Sequence, residues 1–299
     1  MAVSVAQDAG PRAAEARRPP VPWKLLGPVG LLYAIQFLGP LVFLLVMSFW
    51  PGSPGRSPSP GFTFANYGDV LGDGYVLGIL WRTVSMGLMV SALTLVLGLP
   101  VAYGIARAPA RWRPLLLIGV LLPFLTSAVI RSFGWMVLLA DRGLVTELLA
   151  PLGIGGGPTG LMYTMTGLVL SMTHVFLPIM ILVLYGVMDR IDLRLEEAAA
   201  NLGASRVKTF FLVVVPLASP GVLAGTMLVL TLSMSSFVTP ALIGGPRVRV
   251  IATEIYDQSV NLINWPLAGA MAIVLMLLIV LVSAAATRLL RTPALGGTR

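Results

Sequence analysis

The sequence predicts an all-α membrane protein with six transmembrane helices, on three observations. Of its 299 residues, 57% are hydrophobic and only 11% charged, and the mean hydropathy is +0.91. That is more apolar surface than one soluble core can hide. Several apolar runs reach the roughly 20 residues that an α-helix needs to cross the hydrocarbon core. Basic residues gather in alternate connections between these runs, as in a chain threaded back and forth through a bilayer.

The elements follow in order. Residues 1–24 hold Arg12, Arg17, Arg18 and Lys24 among Pro and Ala. They read as a basic disordered tail, because no small-residue cleavage site follows a short apolar core as in a removed leader. The first span runs from about Pro28 to Phe49, and the Pro/Gly/Ser run from Pro51 to Gly61 forms an extended loop. The second covers about Ile79 to Ala106 and ends on Arg107, Arg111 and Arg113; the third runs from Leu115 to Ala140. A glycine-rich connection, Gly153 to Gly160, leads into a fourth span ending near Met188. A charged segment, Asp189 to Lys208, precedes the fifth span (Leu212 to Phe237), and the sixth runs from Pro266 to Leu290. The membrane domain is thus 25–291, with a short tail at 292–299.

Six spans put both termini on one side. The tails, the second-to-third connection and the Asp189–Lys208 segment carry most of the 20 Lys and Arg. Arg56, Arg82, Arg142, Arg247 and Arg249 fall in the opposite connections, and Arg131 lies inside a span. Both termini are therefore expected to be cytoplasmic. The net charge of +8 and pI near 10.4 reflect that asymmetry, so the expected surface is membrane lipid and no nucleic-acid partner is called for.

Composition excludes much chemistry. With no Cys and one His, His174, the chain offers no thiolate site, histidine cluster or cysteine nucleophile, and no cofactor is expected. No Gly-x-x-x-x-Gly-Lys-Ser/Thr loop occurs, so ATP would be hydrolysed by a separate subunit. All 12 acidic residues fall in tails or connections. That disfavours an ion-coupled secondary carrier, which uses intramembrane carboxylates, and an intramembrane enzyme.

The charged segment stands out. Glu and Ala favour a helix from Leu193 to Leu202, Asp192 caps its first turn, and Gly203 ends it in a left-handed conformation. On residues alone, an ordinary linker and a docking element are equal readings. Glu197-Ala-Ala, three residues, Gly203, then nine residues to Val213-Val-Val-Pro216 resembles the EAA signature of permease subunits of binding-protein-dependent ABC importers. Val213 and Val215 replace the Ile and Leu of that pattern. The resemblance implies that 189–211 is a coupling loop whose Glu197, Ala198, Ala199 and Gly203 contact a cytoplasmic ATPase. Small Ala side chains permit close approach there, and Glu197 can pair with a basic residue of the partner.

Further stretches, LPFLTSAVIRSFGWMVLL (Leu122 to Leu139), SSFVTPALIGGP (Ser235 to Pro246) and NWPLAGAMAIVL (Asn264 to Leu275), are similar to the spermidine/putrescine-type subgroup. The resemblance implies a type I (MetI-like) importer permease fold in a bacterial inner membrane. It implies two ATPase copies, a second homologous permease and a periplasmic or extracellular solute-binding protein as partners. Polyamines, or alternatively opines or another small solute, would cross by alternating access.

Candidate path residues are Arg131, Trp135, His174, Ser233, Ser235, Ser236 and Phe237. Each also has a structural reading: Arg131 snorkelling to the interface, and His174 and the hydroxyls bonding between helices. Asp69, Asp73, Glu254 and Asp257 are candidates to receive the binding protein. Stable co-purification with an ATPase is the expected outcome; solute transport by this chain alone in liposomes would overturn the importer reading.

Overall fold

The computed structural model describes residues 23–56, 58–153 and 160–290. The expected basic tail (apart from its last two residues), the interior of the Gly153–Gly160 connection and the 292–299 tail lie outside them. The chain divides into a unit up to Leu44 and a main unit from Leu45. The helices are α1 (Trp23–Met47), α2 (Ala65–Gly72), α3 (Gly74–Ala106), α4 (Arg113–Leu121), α5 (Ala128–Leu139), α6 (Leu144–Leu149), α7 (Met165–Met188), α8 (Leu193–Asn201), α9 (Arg206–Thr209), α10 (Val215–Leu217), α11 (Ser219–Met234), α12 (Ile251–Tyr256) and α13 (Trp265–Leu290). No strand occurs among the described residues.

Four of these, α1, α3, α7 and α13, are long and apolar enough to cross a membrane. Two bent pairs pass the same test jointly, which gives six spans if each pair counts as one. The pair made by α4 and its 3-10 extension (Leu122–Leu125) with α5 is bent by 89°. There the backbone opens at Thr126 (ψ 145) and Ser127 (ψ 136), outside helical space. The pair of α9–α10 with α11 is bent by 71°. Its break sits at Ala218, and Pro220 follows in the first turn of α11, with no N–H to continue the ladder back to Pro216. The expected third and fifth spans are therefore angled pairs.

Two boundaries differ from expectation. Asp73 starts α3 early, its Oδ1 accepting from the Tyr75 N–H at 2.8 Å, so Arg82 lies inside α3 and not in a connection. The fifth span stops at Met234, and the Ser235 Oγ donates back to Thr231 O at 2.9 Å. Ser235, Ser236 and Phe237 thus mark a helix end, where hydroxyls satisfy freed carbonyls.

The main-unit core is built by α3, α7 and α11. Met86 and Val90 of α3, Met172, Met180 and Leu184 of α7 and Val229 of α11 are all fully buried in one cluster. Glycines let these backbones approach. A Cβ on Gly98 of α3 would lie 3.0 Å from the Met180 Cγ, and one on Gly225 of α11 would lie 2.7 Å from the Met180 Sδ. Gly221, one turn earlier, would meet Val187 at 2.9 Å to Cγ2 and 3.0 Å to Cβ. Gly221 and Gly225 form the small-xxx-small spacing by which helices pack closely in lipid.

The two glycines differ in what faces them. The thioether of Met180 can swing aside, whereas the β-branched Val187 is stiff. Gly221→Ala should destabilise by about 1–3 kcal/mol and Gly225→Ala by less, read as loss of Tm in detergent; equal effects would contradict this packing.

Candidate functional site

The predicted coupling helix forms as α8, one residue shorter than expected. Asp192 Oδ1 accepts from the Arg194 N–H at 2.9 Å, offsetting one orphan donor. At the other end Gly203 takes φ +85. Its N–H reaches Ala200 O at 2.9 Å, and the Ala204 N–H reaches Ala199 O at 3.0 Å. Those two bonds are the Schellman ending. Ser205 then caps α9, accepting from the Lys208 N–H, so the chain reverses within a few residues.

The predicted contact residues lie where a partner could reach them. Glu197, Ala198 and Gly203 are exposed and Ala199 is half-buried. Leu195, Leu202 and Val207 add exposed apolar surface beside them.

The neighbouring Glu196, not singled out from the sequence, differs in its surroundings. Its Oε1 accepts from the Arg107 Nε at 2.7 Å and lies 2.5 Å from Nη2, with 14% of each side chain exposed. The Tyr103 hydroxyl donates to Oε2 at 2.7 Å. The Arg107 Nη2 also donates to Ile191 O at 3.2 Å, just past the end of α7. Alongside, Arg113 pairs with Asp189 at 2.9 Å and donates to Ala106 O and Ala108 O. The ends of α3 and α7 and the starts of α4 and α8 are thus tied together, by about 1.5–3 kcal/mol for the enclosed Arg107–Glu196 bond and by at most about 1 kcal/mol for the more exposed Arg113–Asp189 pair. Tyr103, Arg107, Glu196, Glu197, Ala200 and Arg206 line a cleft of ≈ 520 Å³ at this junction.

The candidate path residues separate. Trp135 and His174 meet, the indole Nε1–H donating to His174 Nδ1 at 3.2 Å, which joins α5 to α7. This is the interhelical role open to His174 from its sequence position. Arg131, in the first turn of α5, donates from Nη1 to Pro123 O at 2.8 Å across the 89° bend. Its Nε is buried without a partner among the described residues. Ser233 is fully buried and donates to Leu230 O, a bond within its own helix. The Ser236 N–H donates to Ser233 O. Phe237 packs on Tyr256, ring centroids 4.8 Å apart, over a cleft of ≈ 320 Å³ that Arg249 and Asp257 also line.

The acids proposed to receive a binding protein are mostly engaged. Glu254 is 4% exposed and accepts from Arg249 (3.1 Å), Tyr75 (3.3 Å) and Gln258 (3.1 Å). Asp73 caps α3, and only Asp69, on α2, and Asp73 are exposed. Asp257 accepts from Asn261 at 2.6 Å and Arg249 at 2.8 Å. The Asn261 amide first, then Arg249, hold its carboxyl below the ordinary range, and hydrogen bonds to Asp257 and Glu254 hold the Arg249 guanidinium above its own. A depressed carboxyl stabilises above its unfolded pKa, about 3.9, and the gain is lost as pH falls through the folded value.

Two outcomes follow. Glu254→Ala should cost about 2 kcal/mol or more by stranding its donors, while Asp69→Ala should fall within about 0.5 kcal/mol, both read as Tm in detergent. The Tm deficit of Asp257→Asn relative to the unaltered chain should shrink as pH falls below about 4; a deficit independent of pH would contradict the pairing.

Known proteins share this architecture. The model of the family "Binding-protein-dependent transport system inner membrane component" matches residues 30–292. The spermidine/putrescine transport system permease protein PotB of Escherichia coli is 34% identical over 265 residues, 88% of this chain and 96% of that protein. A solved bacterial ABC transporter involved in alginate import superposes with TM-score 0.68 at 19% identity, covering 90% of this chain and 94% of its own. The MetNI methionine ABC transporter in an inward-facing conformation gives 0.56 at 19% identity over 75% of this chain and 96% of its own. With a match across nearly the whole chain, the protein belongs to the inner membrane components of binding-protein-dependent transport systems, the non-catalytic permease subunits of ABC importers.

Proposed function

We propose that this chain is the permease through which an ATP-driven importer takes up polyamines of the spermidine/putrescine type. The observation that carries the cargo is the 34% identity with PotB across 88% of the chain. The absence of Asp and Glu from all six candidate spans fits such a division of labour. A polycation meets no carboxylate within the spans that would trap it, and selection falls to a separate solute-binding protein. Opines or another small solute are the alternative cargo.

The complex we infer holds two ATPase copies, a second homologous permease and the binding protein, in a bacterial inner membrane with both termini cytoplasmic. The ATPases grip Glu197, Ala198, Ala199 and Gly203, and their closure moves α8 and switches the bundle between inward- and outward-facing states. Trp135 and His174 hold the broken third span against α7 along the path, Arg131 braces that span across its own bend, and Ser235 and Ser236 lead into Phe237, which lines the cleft beside Tyr256. Ser233 packs inside the bundle.

Because the chain has no Cys, a single Cys at Ala198 should react with impermeant maleimide only from the cytoplasmic side; labelling from outside would invert the orientation. Glu197→Lys should release the ATPase on co-purification and lower uptake roughly tenfold or more, as charge reversal at an interface does. Unchanged uptake would refute the docking role. A panel of putrescine, spermidine, opines and small cations titrated into the partner binding protein should select the polyamines, and selection of another class would replace the cargo.

A further inference from the structure

Two adjacent glutamates of α8 differ in their surroundings. Glu197 is exposed, whereas Glu196 is drawn into the bundle by Tyr103, in the last turn of α3, and by Arg107, which caps that helix. Arg107 simultaneously holds the carbonyl of Ile191, in the short link between α7 and α8. Elsewhere α8 touches α9 and the Phe210–Val214 turn that follow it in the chain. It has no buried residue, and the three residues before it carry no regular helix. Its tie to α3 is therefore made by these hydrogen bonds.

We infer that Glu196 is the positioning residue of the coupling step. The Arg107–Glu196–Tyr103 latch makes α8 and the end of α3 one rigid body, so that displacement of α8 is delivered to α3 and through it to α7 and α11. Glu197 meets the partner and Glu196 passes the motion inward. The planar guanidinium suits this because it can hold the carboxylate and a backbone carbonyl at once. This rests on the docking reading above, and its failure is separable from that reading's failure.

The test uses the full complex of permeases, ATPase and binding protein in proteoliposomes, with spin labels on Gly104→Cys and Asn201→Cys. Both positions are exposed, and a Cβ at Gly104 meets nothing within 4 Å. With the latch intact, the label distance should be narrow and the same with and without MgATP plus vanadate. In Glu196→Gln it should broaden or shift with nucleotide while the ATPase stays bound. ATP hydrolysed per labelled spermidine taken up should rise about tenfold in Glu196→Gln and about twofold in Tyr103→Phe, matching loss of a charged and of a single hydrogen bond. Arg107→Lys, which keeps charge but not the fork, should fall between them.

Identical label distances in Glu196→Gln and the unaltered latch overturn the proposal, as does a parallel fall of hydrolysis and uptake at constant ratio, the mark of structural damage alone. If Glu196→Gln does not assemble, Tyr103→Phe decides by the same two readouts. If the unaltered complex takes up no spermidine, the cargo reading fails and the label distances decide alone. If Glu197→Lys keeps its ATPase, the docking reading fails whatever the latch does.

Discussion

The close approach of α3, α7 and α11 is the constraint on which the rest depends. In lipid, side chains gain nothing by leaving the solvent, because the solvent is itself apolar; helices adhere through packing and hydrogen bonds. Here the packing centres on Met180, flanked by Gly98 on one side and Gly225 on the other. With these three helices fixed, the ends of α3 and α7 come within reach of each other, and Arg107 can bond both Glu196 and the carbonyl beyond α7. α8 is thus positioned by a contact in the bundle interior that shares no residue with it.

Much of the fold was legible because its signals are local. Apolar runs located the long helices to within a few residues, Asp192 and Gly203 delimited α8, and the EAA spacing named the family. The bends were not legible as such. Pro220 and the Thr126-Ser127 pair were in plain view, but whether a proline or a hydroxyl pair kinks a span or is absorbed by it is decided by what neighbouring helices supply. The end of the fifth span was misplaced for a similar reason. Ser235 and Ser236 read as polar lining within a helix, while in three dimensions they finish one.

The site was legible on its outer face only. The spacing of Glu197 to Gly203 marked it as a candidate contact, and the fold leaves it exposed, but Glu196 gave no such signal. Its partner Arg107 is remote in sequence, and pairings at that range depend on a fold that composition does not encode. The same holds for Glu254, which sequence placed among exposed acids and the fold encloses among Arg249, Tyr75 and Gln258. A charge in a connection is usually solvated. The exceptions here sit near the two ends of α3, where each carboxylate is enclosed by an arginine and a tyrosine side chain.

The length of α3 brings in the bilayer itself. At 33 residues and about 1.5 Å per residue the helix extends for about 50 Å, against a hydrocarbon core of about 30 Å. Tilt absorbs part of the excess, and a remainder at the α3 C-terminus would lift Tyr103 and Arg107 clear of the acyl chains, where a charged side chain is cheap to hold. On the latch inferred above, lipid thickness becomes a term in energy transduction: a thicker membrane would draw these two side chains toward hydrocarbon, and a thinner one would leave them more hydrated. The same chain would then run with different efficiency in different membranes without any change in its protein partners.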